Sequence, residues 1–382
     1  RCLACNWYCR ISKGQTGICG VRKNSDGELT LLVYGRPTGL TVDPVEKKPL
    51  FHFLPRYQKA PHCQGEDEWL HGAFGTGFRT LNKETPTFVG ESSPESRILS
   101  FGTVGCNFSC EFCQNYSSGL TQIKSMTQKE TSDPAAQTQL IEEIISSFPK
   151  RPPEKIVKYA LKNDIPAIAF TYNEPAIFFE YAYDVAILAR KNNLKTVFVS
   201  NGFESKEALK KIGPYLDAIN IDLKSFRQDF YEKICHAKLS PVLENIKRVY
   251  KMGIWLEITT LVIPGHNDSE EELTEIAEFI YSVSPSIPWH ISAFYPAYKM
   301  ENVSPTPVAT LLKAYGIGKK AGLEFVYVGN ADIPDKESTF CPKCGVLLIR
   351  RRFYKTEILA DFDKKRGLCL NCGKKIAGVW RG

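Results

Sequence analysis

The strongest constraint on this chain is a rhythm. From Ala167 to Gly329, short apolar runs (AIAFTY, TVFVSNG, DAINIDLK, WLEITTLVIPG, WHISAFYP, FVYVG) alternate with amphipathic stretches such as PAIFFEYAYDVAILARKNN, SKEALKKIG and SEEELTEIAEFIYSV. RILSFGTVGC, ahead of them, reads as a first strand. Strands joined by single helices make βαβ units, and their right-handed crossovers build a parallel sheet. Ser269 before three glutamates predicts a helix N-terminus, with negative charge in the first turn. Seven strand candidates fit an α/β fold with a partial (β/α) barrel better than a closed eightfold one. Ligands of such folds bind at the C-terminal ends of the strands, so an active site is expected in the loop after the first strand.

That loop, GCNFSCEFCQNY, carries Cys106, Cys110 and Cys113. The chain has 13 cysteines, and the others fall mainly into two sets: Cys2, Cys5, Cys9 and Cys19, then Cys341, Cys344, Cys369 and Cys372. Cys63 and Cys235 have no partner in sequence and are assigned no role. Disulfide scaffolds are small secreted domains, whereas tight clusters in a 382-residue chain favour metal ligation in a reducing, cytoplasmic compartment. The first residue is Arg1, so a removed targeting peptide stays compatible with the sequence. No run approaches the roughly 18 apolar residues of a membrane span, and no membrane partner is expected.

A structural zinc site takes four protein ligands, so three thiols on one loop read as an incomplete set. A [4Fe–4S] cube held by three thiolates leaves one iron open to a substrate or cofactor. The other arrangement is a zinc loop that borrows its fourth ligand. The N-terminal set has the spacing C-x2-C-x3-C-x9-C and is complete in number. Zinc and a second Fe–S cluster both suit it, because thiolates serve both. CPKCG and CLNCG, 24 residues apart from Cys344 to Cys369, predict a zinc ribbon. From Cys341 onward there are 11 Lys and Arg against 3 Asp and Glu, so the net charge of +7 belongs to this tail. A basic tail with Phe353, Tyr354 and Trp380 could touch nucleic acid; a solvated cationic surface or a docking face for an acidic protein is the preferred reading. The predicted organisation is a four-cysteine metal-binding unit over 1–55, an irregular insertion over 56–96, the barrel over 97–330 and a zinc-ribbon-like domain over 331–382.

CNFSCEFC, with aromatic Phe112 before its last cysteine, resembles the cluster motif of the radical S-adenosylmethionine (SAM) superfamily. Three further segments agree in order. TYNEP, with Asn173 and Glu174, resembles the region near the SAM amino group; VSNG, with Ser200 and Asn201, resembles a ribose or carboxylate contact. Asp222 and Lys224 of DLK, and His290, resemble residues near the SAM carboxylate or the substrate in glycyl-radical-enzyme activases, as does LVIPGHND. Plainer roles fit too: a helix N-terminus at Asn173–Glu174, a Ser-Asn-Gly turn, a solvated Lys224 and a packed imidazole at His290. CLACNWYCRISKGQTGICGVR, DPVEKKPLFHFLP, CQNY and CPKCG extend the resemblance to the radical SAM proteins of the AmmeMemoRadiSam system, a family similar to the pyruvate formate-lyase activating enzyme. The 56–96 segment is longer than that family's connection.

The resemblance implies that Cys106, Cys110 and Cys113 hold a [4Fe–4S] cluster whose open iron binds SAM. A reducing electron donor would drive C5′–S cleavage, and the resulting 5′-deoxyadenosyl radical would take a hydrogen atom from the substrate. In the activase branch that substrate is a backbone glycine of a partner enzyme. The alternatives are radical modification of a small molecule or RNA, and, in another class, a metal-binding adaptor without catalysis.

Overall fold

The computed structural model describes residues 1–54, 97–116, 121 and 123–380. The 56–96 insertion, with Cys63, lies outside the described residues.

The N-terminal residues form a hairpin of β1 (Arg22–Ser25) and β2 (Glu28–Leu31), then β3 (Thr38–Pro44). The seven predicted strands follow as β4 (Arg97–Gly102), β5 (Ala167–Phe170), β6 (Lys195–Ser200), β7 (Ala218–Asp222), β8 (Trp255–Val262), β9 (Trp289–Ala293) and β10 (Val326–Gly329). β4 to β10 pair in parallel in sequence order, and β3 closes the β4 edge antiparallel. The expected partial barrel is therefore present. The 1–55 unit, however, does not stay apart from it, because β3 is the eighth strand of its sheet. The pattern of DPVEKKPL gave no sign of that pairing. Between strands lie the predicted helices, including Phe179–Lys191, Lys206–Ile212 and Glu270–Val283; the Ser269 hydroxyl caps the last by accepting from Glu272 N–H.

The strands are apolar on both faces, as parallel strands covered on both sides must be. Ile168 and Phe170 join the helix-covered core, while Ala167 and Ala169 point the other way. That inner face, with Ile98, Val197 and Ala218, is small enough to admit a strap, Val45–Leu54, which lays Leu50, Phe51 and Phe53 against it. The tail follows the strap in. Its sheet β11 (Thr339–Phe340), β12 (Leu347–Arg352), β13 (Lys355–Ile358) and its hairpin β14 (Phe362–Asp363), β15 (Leu368–Cys369) contribute Leu348, Ile349 and Phe362, and Trp380 follows, to the same cluster.

Buried polar groups bind strap, barrel and tail together. Glu257, on β8, accepts from Phe51 N (3.0 Å), His52 N (2.8 Å), Trp255 Nε1 (2.9 Å) and His290 Nε2 (2.6 Å). Burial works to raise its pKa, but the hydrogen bond and charge of His290, with His52 and Trp255, together outweigh it and hold Glu257 below the usual carboxylate range. His52 Nδ1 meets the Ala377 carbonyl and Nε2 the Tyr327 hydroxyl, both at 2.6 Å. A carbonyl only accepts, so Nδ1 carries the proton and Nε2 accepts from Tyr327. Tyr327 in turn meets Thr339 Oγ1 at 2.8 Å, which accepts from Arg351 Nη1 at 2.7 Å.

This chain needs His52 neutral, and burial pushes its pKa down to about 4. Below the unfolded value near 6.5 the unfolded chain binds a proton that the folded chain refuses, so stability falls with pH from 6.5 towards 4. The expected loss between pH 6.5 and 5 is about 2 kcal/mol. Urea unfolding at the two pH values checks it, and a His52→Gln variant should flatten that slope.

Candidate active site and metal centres

The cysteine loop leaves the C-terminal end of β4, and three neighbouring strand ends hold it. Beyond β5, Asn173 Nδ2 donates to the carbonyls of Thr103 and Gly105, both at 2.8 Å, while its Oδ1 accepts from Thr103 N at 3.3 Å. Beyond β6, Asn201 Nδ2 donates to Asn107 Oδ1 at 2.8 Å. Beyond β7, a turn at Tyr231–Cys235 accepts from the far side of the loop: Ser109 N reaches Cys235 O (3.1 Å) and Glu111 N reaches Ile234 O (3.0 Å). A loop inside a protein must satisfy its backbone groups, and these contacts do so without burying the thiols in a regular element. Gly105 is required: its φ is +90°, and a Cβ there would lie 2.5 Å from the Cys19 carbonyl.

The electrostatics differ from thiol to thiol. Burial pushes Cys106 well up, against the Phe108 N–H that reaches its sulfur at 3.5 Å. Cys110 is pulled down, first by a hydrogen bond from Cys235 and also by Lys224, which together outweigh its burial. Cys113 Sγ lies 3.2 Å from Thr121 Oγ1. Lys224 is mostly buried, yet its pKa is raised: burial lowers it, and Asp222, 2.8 Å away, with Cys110 and Cys235, more than compensates. Its ammonium sits 5.7 Å from the centre of the buried Phe112 ring. Three thiols on one pinned loop, with N–H and O–H groups on two sulfurs and a fixed cation beside the third, fit a [4Fe–4S] cluster.

The other expected SAM contacts are engaged elsewhere. Glu174 caps the short helix Pro175–Phe178 by accepting from Ala176 N (3.0 Å), and also accepts from Asn201 N (2.8 Å) and the Ser200 hydroxyl (3.1 Å). Burial, then the neighbouring Glu204, pushes its pKa well up. Asn173 and Asn201 are loop clamps, and Ser200 orients Glu174. His290 corrects the expectation outright. It lies at the start of β9, at the opposite end of the strands from the loop, bound to Glu257 and packed edge-on against Phe51 at 4.7 Å. It is the packed imidazole, and Phe51, distant in sequence, decides that. Cys235 is what sequence reasoning missed; with no spacing to a second ligand, nothing in YEKICHAK could have revealed that it meets Cys110.

The tail quartet converges. Cys341 and Cys372 sulfurs are 3.5 Å apart, Cys344 and Cys369 3.7 Å, close to the ~3.8 Å between thiolates on one tetrahedral zinc-sized ion. Gly345 and Gly373 amides turn back to the Cys341 and Cys369 carbonyls at 2.9 Å, both with φ above +70°. Cys344 is pulled down to about 6, first by Asn371 and then by the Val346 amide, which favours the ligating thiolate. Among the described residues, this is the one ligand set whose atoms all lie within 4.8 Å of one another. The N-terminal cysteines instead surround a pocket, with Cys2, Cys5 and Cys19 buried. No described helix is long and apolar enough to cross a membrane.

Removing the Asn173 clamp frees two carbonyls and one amide of the loop. Asn173→Ala is expected to lower stability by about 2–3 kcal/mol and to reduce iron and sulfide uptake on anaerobic reconstitution, which colorimetric iron and sulfide assays measure.

Comparison with known proteins agrees with this geometry. Residues 101–280 match the family described as the Radical SAM superfamily. The chain is 35% identical to the uncharacterized protein MJ0808 of Methanocaldococcus jannaschii, over 98% of this chain and 94% of that one. It is 26% identical to the 4-hydroxyphenylacetate decarboxylase activating enzyme of Clostridioides difficile, over 30% of this chain and 37% of that one. A domain of the pyruvate-formate lyase-activating enzyme from Bacteroides vulgatus superposes with a TM-score of 0.37 at 21% identity, over 42% of this chain and 98% of that one. With its thiol loop at the strand ends and this family match from β4 to the helix after β8, the chain belongs to the radical SAM superfamily and is a radical SAM enzyme.

Proposed function

We propose that this radical SAM enzyme is of the activating type, abstracting a hydrogen atom from a glycine of a partner polypeptide. The observation that carries the reading is the Asp222–Lys224 pair fixed at 2.8 Å beside Cys110, at the open end of the barrel. The partial likeness to an activating enzyme over 30% of the chain supports the same branch. When bound, the [4Fe–4S] cluster and SAM supply reductive C–S cleavage and hydrogen-atom abstraction, fed by an external one-electron donor.

The residues of the chain hold and shield. Asn173, Asn201 and the 231–235 turn fix the loop, so the thiols need no reorganisation when loaded. Lys224, kept protonated by Asp222, presents a cation to a carboxylate. The strap and tail fill the barrel from the opposite end, which keeps water from entering there. The tail quartet, in this proposal, holds a structural zinc that locks the plug in place.

SAM cleavage is measured as 5′-deoxyadenosine released from reduced, cluster-replete protein. Cys113→Ala is expected to abolish release, and Lys224→Met to raise KM for SAM roughly 10–100-fold, the loss of one charge-assisted contact. Absence of cleavage from replete protein overturns the assignment of this site. The glycine target is tested with extract from cells grown on deuterated glycine. Deuterium in the released 5′-deoxyadenosine is expected, and its absence while cleavage persists points to a small-molecule or RNA substrate.

A further inference from the structure

The N-terminal quartet is not explained by the chemistry proposed above. Cys2, Cys5, Cys9 and Cys19 line one pocket, together with Arg22 and Asn107. The comparison inside the same molecule is informative. The tail sulfurs close around a point, as a single ion requires, whereas the N-terminal four do not reach that mutual distance. Four thiols spread around a cavity suit a polynuclear core, in which each sulfur binds a different metal atom.

Two donors point the same way. Arg22 is 5% exposed, yet its Nε has no hydrogen-bond partner among the described residues, and the side chain of Asn107, 1% exposed, donates to Cys5. Leaving a buried donor unsatisfied costs about 1–3 kcal/mol, so Arg22 Nε calls for an acceptor that the polypeptide does not provide. The bridging sulfides of an iron–sulfur core are such acceptors, and N–H···S bonds are a recognised way of tuning a cluster. The rest of Arg22 is anchored: Nη1 donates to Glu180 Oε1 at 2.8 Å, so the guanidinium cannot turn away. Lys124 adds a second cation near Cys9 and Cys19, its Nζ held by the Gly17 carbonyl at 2.9 Å.

The pocket also abuts the first site. Asn107 follows Cys106; its carbonyl accepts from Trp7 Nε1 at 2.8 Å and its Oδ1 from Asn201. The Cys19 carbonyl is the atom that forbids a Cβ at Gly105. We infer that Cys2, Cys5, Cys9 and Cys19 bind a second [4Fe–4S] cluster, seated against the SAM-cluster loop, with Arg22 as a donor to its sulfides and Asn107 as a donor to the Cys5 sulfur. Asn107 is then a positioning residue shared by the two centres.

Three full-chain variants test this independently of SAM chemistry. The Cys106→Ala/Cys110→Ala/Cys113→Ala protein, reconstituted anaerobically with ferrous iron, sulfide and zinc, is expected to keep about four iron and four sulfide per chain while releasing no 5′-deoxyadenosine. Two zinc with no acid-labile sulfide in that protein would overturn the inference. In the otherwise intact chain, Cys5→Ser/Cys19→Ser is expected to lower iron from about eight to about four per chain; unchanged iron content would also overturn it. Asn107→Leu in the triple variant should lower the midpoint potential of the remaining cluster, followed by an EPR redox titration; an unmoved potential removes Asn107 from the cluster's surroundings. Loss of SAM cleavage in wild-type protein would sink the proposed function and leave these metal counts intact.

Discussion

A single carboxylate inside the barrel governs how the parts of this molecule stack. An isolated buried charge would cost several kcal/mol, so Glu257 must be surrounded by donors, and it draws them from different parts of the chain. His290 and Trp255 come from the sheet itself, but the two backbone amides come from Phe51 and His52. Those amides can reach Glu257 only if the strap lies flat against the inner face, which the alanines at 167, 169 and 218 permit. Once the strap is there, the tail has an apolar surface to cover and a hydrogen-bonded row, from His52 through Tyr327 and Thr339 to Arg351, to complete. The barrel is thereby filled from one end. Chemistry is left to the other.

At that other end the architecture relies on side-chain amides. An asparagine both donates and accepts, so Asn173 satisfies carbonyls and an amide of the cysteine loop at once. Asn201 holds Asn107, and Asn107 accepts from Trp7. A change in the position of the N-terminal unit therefore reaches the residue next to Cys106 through one hydrogen bond, from Trp7. The seat of Cys19 on Gly105 adds a steric contact to the polar ones. The flanking unit and the barrel share one wall.

Much of the fold was legible because the signals were local. The strand of RILSFG, the capped helix after Ser269 and the two tail knuckles each need only neighbours within a few residues to declare themselves. Roles were less legible than elements. Asn173, Glu174, Ser200 and Asn201 were correctly placed at the strand ends, yet their hydrogen bonds run to each other and to the loop, not outward. His290 looked equivalent to them in sequence and sits at the opposite end of the sheet, because only the short length of β9 separates its start from its end.

The sequence by itself determined the order of βα units, the incomplete ligand set of Cys106, Cys110 and Cys113, and the complete sets that flank it. Periodicity and spacing encode these directly. Only the tertiary structure decided which quartet converges on a point and which surrounds a cavity. It also decided that β3 joins the barrel, that Cys235 meets Cys110 and that a strap fills the interior. Each of these depends on contacts between residues tens to hundreds of positions apart, where side-chain shape and the satisfaction of buried polar groups choose the partner and no local pattern records the choice.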